Sequence, residues 1–251
     1  MGLSMYRSGN PALSDSTFEK ESYADGGWWT DDADLMTMQG TTEKSAFLLL
    51  VTTVTAVMTA LGMPDTSGLI VVGAIGGFAL ALIIIFSGST SPILISLYAG
   101  LEGLFLGGLT WFFELSFPGI GLQAVLLTLF ILGSMLMIYR AGLISWDRNL
   151  SIAVSSALVA IVLIYIVTWI GFFVGFEIPY IHSSGPIGIA FSVFVVGIGA
   201  LCLVADFDFI ENGVARGAPK QLEWRAAFGL MVTLIWLYFE ILKLLAKLRS
   251  N

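Results

Sequence analysis

The chain has 251 residues, of which 57% are hydrophobic and 12% charged, and a formal charge of −7. A soluble domain carries about 25% charged residues, so too little polar surface is available here for a fold bathed in water. The acidic balance without a basic stripe argues against nucleic acid as a partner, and single Cys202 can form neither an internal disulfide nor a cysteine zinc site.

Residues 1–44 mix Ser, Gly, Asp and Thr without helical or strand periodicity and hold eight acidic residues against Arg7, Lys20 and Lys44. With no basic start followed by an apolar core, this segment is expected to be a disordered acidic tail and not a cleaved signal. Its Asp31, Asp32 and Asp34 lack the oxygen spacing and terminal Glu of a calcium loop.

Seven apolar segments follow, at 45–63, 68–87, 92–113, 120–139, 150–173, 186–205 and 226–245. An apolar run of about 18 residues or more crosses a bilayer as a helix. The short connections after the first, second and third segments make their flanking helices antiparallel neighbours. Residues 45–251 are therefore expected to be an all-α, seven-helix transmembrane bundle in one compact domain. Under this count Arg7, Lys20, Lys44, Arg140, Arg148, Arg216, Lys220 and Arg225 share one side, leaving Lys243, Lys247 and Arg249 on the other. The positive-inside rule then puts the N-terminus in the cytoplasm. Six spans with a re-entrant last segment is the alternative. Pairs of glycines one turn apart, Gly73 with Gly77, Gly103 with Gly107 and Gly171 with Gly175, suit close helix contact.

Ionisable groups inside spans are costly and by default face a cavity or a partner. Glu102 lies ten residues after Pro92, about 15 Å into its segment, and Glu240 lies fourteen after Ala226, about 21 Å along its own, which puts the two at similar depth. Asp206 and Asp208 close the sixth segment at its cytoplasmic mouth. At two-residue spacing they point about 200° apart on a helix, so one faces inward and the other loop or solvent. Glu114 and Glu177 fall at the outer interface.

Enzyme chemistry finds no support. His182 is the only histidine and sits in an outer loop, which removes a buried Ser–His pair and a two-histidine metalloprotease helix. The aspartates belong to one helix end, and neither a Gly-x-Gly-Asp pattern nor a phosphate-cradling loop is present. No cofactor is expected.

Several blocks run in order along the chain: Arg7-Ser8-Gly9-Asn10-Pro11-Ala12-Leu13, Met36-Thr37-Met38-Gln39-Gly40-Thr41, Tyr98-Ala99-Gly100-Leu101-Glu102-Gly103-Leu104-Phe105-Leu106-Gly107, the sixth-segment exit from Asp206 to Gly213, and Leu237-Tyr238-Phe239-Glu240-Ile241-Leu242. Together they resemble the Bax-inhibitor (transmembrane Bax-inhibitor-motif) family, in its bacterial branch with a long polar N-terminal tail. The resemblance implies a bundle whose C-terminal helix runs up the centre, in a bacterial cytoplasmic membrane. It implies a pH-sensitive calcium leak, with calcium and protons as the mobile species, gated by a carboxylate pair of the last two helices. Asp208, or its neighbour Asp206, matches the sixth-helix aspartate, Glu240 the seventh-helix one, and Glu102 the glutamate of the third helix. Asp208 and Glu240 would then be the calcium ligands, with oxygen donors of the kind calcium prefers. Glu240 stands where an aspartate is usual, and by depth it is expected to face Glu102 better than Asp208. The second-helix arginine of the family has no counterpart in 68–87, so Arg216 and Arg225 are the candidate latches. A second reading is a non-conducting regulator or partner of a membrane protease.

Overall fold

The computed structural model describes residues 35–62, 67–175 and 183–250. Among them are seven helices: α1 (Met38–Gly62), α2 (Ser67–Ser87), α3 (Pro92–Ser116), α4 (Ile120–Arg140), α5 (Arg148–Val174), α6 (Pro186–Ala215) and α7 (Leu222–Arg249). All seven are long and apolar enough to cross a membrane. The protein is a multi-pass, all-α membrane protein. The expected tail up to Asp34, with its Asp cluster and the Arg7–Leu13 block, lies outside the described residues, as do Glu177 and His182.

Local chemistry sets the helix ends. Pro92 and Pro186 open α3 and α6, where a missing N–H costs nothing. Asp147 caps α5 by accepting the Leu150 N–H at 2.8 Å, and Gly175 ends that helix at φ 75°. Glu114 is a structural carboxylate, accepting the N–H groups of Gly119 at 2.6 Å and Gly121 at 2.9 Å at the start of α4, where the helix dipole favours negative charge. Along α1 the hydroxyls of Thr41, Thr42, Thr53, Thr55 and Thr59 donate to carbonyls four residues back, which satisfies them without water.

Three helices extend well beyond their apolar runs. The first begins at Met38 instead of 45, the sixth continues ten residues past Ala205, and the last gains four residues at each end. Polar residues at these extensions find partners inside the protein, so the hydropathy profile understates the helices. Residues 35–44, expected as tail, are thus folded: Met36 donates its N–H to Ala218 O at 2.7 Å, Leu35 bridges Pro219, and α1 is already under way.

Helix α7 packs against α1, α3, α4 and α6, and 61% of its apolar window is buried against 17% for α2 and α5. It is the central helix. Its residues join two core clusters, one with Leu48, Ile95 and Tyr98 around Phe228 and Met231, the other with Leu203 and Phe207 around Leu234 and Leu237. Glycines let α3 sit tightly between its neighbours, because apolar burial gives helices little reason to associate in lipid and close van der Waals contact must do so. A Cβ on Gly73 would lie 2.6 Å from Leu101 O, and one on Gly107 would overlap the backbone of Ala56. Gly175 is different from what its spacing suggests, since it is a helix cap with no neighbour.

Candidate functional site

Three groups of polar side chains lie on α6 and α7. At the end of the bundle that carries residue 35, Glu223 in the first turn of α7 is fully buried. It accepts Thr37 N–H at 2.8 Å and Thr37 Oγ1 at 2.9 Å, and pairs with Lys44 Nζ. Lys44 also lies over the Trp224 ring, 5.6 Å from its centroid. Two residues on, buried Arg225 presses against the α2–α3 connection, where a Cβ on Gly88 would lie 2.9 Å from its Nη1. Arg216 is exposed at the C-cap of α6.

The second group is on α6, which stays helical through Asp206 and Asp208 to Ala215. Asp206 is completely buried and Asp208 half-buried. Asn212 donates to Asp208 Oδ2 at 2.9 Å one turn on, and Tyr139 of α4 donates to Glu211. The two aspartates therefore stand inside a continuous helix and do not mark its mouth, because the polar residues after them extend the helix two more turns.

The third group is near the other end of α7. Glu240, 2% exposed, accepts Lys243 Nζ at 2.7 Å and Tyr165 OH of α5 at 3.0 Å to both carboxylate oxygens. Lys243 also reaches Tyr165 OH at 3.1 Å and lies 4.4 Å from the centroid of the Phe239 ring, an arrangement that stabilises a cation in a poorly solvated place. One turn further, Lys247 donates to Ser192 Oγ at 2.9 Å and Gly188 O at 3.1 Å. An open cavity of about 420 Å3 lies beside them, lined by Tyr165, Lys243 and Lys247 together with Ser192 and the rings of Phe113 and Phe191.

The register separates the carboxylates that sequence placed together. Gly199 of α6 faces Trp236 and Leu237 of α7, and the two helices are antiparallel across a short connection. The level of Glu240 thus falls near residue 196 of α6, about 15 Å of helical rise from Asp206 and about 18 Å from Asp208. Thr110 of α3 meets Tyr238 OH at 2.6 Å, which puts Glu102 about 15 Å below the level of Glu240. Glu102 points at α2 instead, where a Cβ on Gly77 would lie 2.8 Å from its Oε1. The depth arithmetic from 226 failed because α7 starts four residues earlier. Among the described residues no three His, Cys, Asp or Glu side chains converge on a metal site.

The family model described as Bax inhibitor 1 like matches residues 10–250, nearly the whole chain. The chain belongs to the Bax inhibitor 1 like family. A comparison with curated proteins finds no match. In this Bax inhibitor 1 like protein the block around Glu102 forms the α3 face that α1 and α2 grip, the α6 exit carries the Asp208–Asn212 turn, and the last block carries Glu240. Sequence reasoning missed Tyr165, Lys243 and the Thr37–Lys44–Glu223 cluster. The i,i+3 spacing of Glu240 and Lys243 was a usable signal. Tyr165, 75 residues from Glu240, offered none.

Proposed function

We propose that this protein is a passive, pH-sensitive calcium leak of a bacterial cytoplasmic membrane, without catalytic chemistry, and that the Glu240–Lys243–Tyr165 cluster is its gate. The observation that carries the reading is a buried carboxylate on the central helix, held by an ammonium group that also lines an open cavity. In the arrangement described, Lys243 neutralises Glu240, so the carboxylate is not offered to a cation and the path is shut. Conduction requires Lys243 to leave. Protons compete with both lysine and calcium for Glu240, and for Asp208 and Asp206 further along the α6–α7 interface, so flux must depend on pH. Glu102, set against α2, contributes negative charge about 15 Å from the level of Glu240.

The N-terminus is assigned to the cytoplasm. Lys44, Arg140, Arg148, Arg216, Lys220 and Arg225 share the end of the bundle that carries residue 35, and the positive-inside rule places that end in the cytoplasm. The three cations of the opposite end are held within the fold, Lys243 by Glu240, Lys247 by Ser192 and Arg249 by Pro118 O at 2.8 Å. Purified protein in dye-loaded liposomes tests the proposal: calcium flux should vary with pH, Glu240→Gln and Asp208→Asn should flatten that dependence, and Glu102→Gln should lower the flux. If both of the first two leave the pH profile unchanged, the gate is wrong and the non-conducting regulator of a membrane protease takes its place.

A further inference from the structure

We infer that the cavity beside Lys243 and Lys247 is a binding site for one anionic phospholipid, with its phosphate between the two ammonium groups and an acyl chain along Phe113 and Phe191. The volume, about 420 Å3, is within the usual range of small-molecule pockets. Among the described residues no acidic side chain lines it. Glu240, the carboxylate paired with Lys243, is buried and is not among the described lining residues, so that lining presents positive charge. The cavity also adjoins the first two turns of α6, through Ser184 before the helix and Ser192 within it, and the dipole of that helix end favours an anion.

The place in the membrane selects a lipid over a soluble anion. Ser184 and Ser250, which meet at 2.7 Å on the rim, belong to helix ends. The site is therefore at headgroup depth, with aromatic rings extending from it toward the hydrocarbon. Lys247 is held in place by Gly188 O and Ser192 Oγ, so a phosphate meets a pre-positioned cation. Charge-assisted bonds of this kind are about twice as strong as neutral ones. The inference is independent of conduction, since it concerns binding alone.

Native mass spectrometry of the full chain, with dioleoyl phosphatidylglycerol, dioleoyl phosphatidylcholine or inorganic phosphate added, tests it. The wild type should retain one phosphatidylglycerol about tenfold more tightly than phosphatidylcholine, as expected for about one charge-assisted contact. Lys247→Gln should abolish that preference and Lys247→Arg should restore it. Ala246→Phe, which fills the cavity and keeps both cations, should lower retention of the anionic lipid as well. Equal retention of the two lipids, a preference that survives Lys247→Gln, retention of the anionic lipid unchanged by Ala246→Phe, or displacement of the lipid by millimolar inorganic phosphate would each overturn the proposal. Should Lys247→Gln fail to fold, the Ala246→Phe result alone decides.

Discussion

Glu223 accepts the backbone N–H of Thr37 at 2.8 Å, which ties the residue before the first helix to the first turn of the last one. The two positions are 186 residues apart. With Lys44 on the same carboxylate, this clamp closes one end of the bundle as the Glu240 cluster occupies the other.

Removing Lys44 leaves a buried carboxylate with hydroxyl and amide donors only. Lys44→Met is expected to destabilise the protein by about 2–3 kcal/mol, less than a fully buried pair because Lys44 is partly exposed. Thr37→Val should cost about 1 kcal/mol for the lost hydroxyl bond. Thermal unfolding in detergent measures both. Deleting residues 1–34 should leave the melting temperature in place, whereas extending the deletion through residue 44 should lower it sharply; equal behaviour of the two truncations would refute the clamp.

Gly107 and Gly133 offer a matched pair within helices. A Cβ at Gly107 overlaps Ala56 backbone, while one at Gly133 meets nothing within 4 Å. Gly107→Ala should destabilise by about 1–3 kcal/mol through forced backbone separation. Gly133→Ala should be neutral or mildly stabilising, by up to about 1 kcal/mol from helix propensity. Chemical denaturation of the two variants reads the difference directly.

Glu240 and Lys243 should be strongly coupled. A double-mutant cycle with Glu240→Gln and Lys243→Met is expected to return an interaction of about 1–3 kcal/mol, because Lys243→Met alone strands a buried charge and the double variant does not. Tyr165→Phe should cost about 1 kcal/mol in the wild type and less when Glu240 is already Gln. Additive single effects would mean that the contact is energetically idle.

Reporters fused after Lys44, at Arg148 and at Lys220 should all report one side of the membrane, and one at Ser184 the other, since an odd number of spans separates them. A signal at Lys220 matching Ser184 would refute the seven-span layout, and a reporter after Arg249 on the side of Lys220 would return the six-span one.

Composition and hydropathy alone determined the number of helices, their order and their membrane setting, because an apolar run of bilayer length has few other options. The blocks around Glu102, Asp206 and Glu240 already indicated the family that the match over residues 10–250 shows. Glu102, Asp206, Asp208 and Glu240 stood out in the sequence as charges within apolar runs, but not their partners, although the i,i+3 spacing of Glu240 and Lys243 was there to be read. Tertiary structure decided the rest. Helices extend past their apolar runs when polar ends find distant partners, as Glu223 finds Thr37 and Lys44, and hydropathy cannot register a partner. Relative depth is a property of helix register, so Glu240, which looks level with Glu102 and paired with Asp208 along the chain, stands about 15–18 Å from the level of both once Gly199 meets Leu237 and Thr110 meets Tyr238.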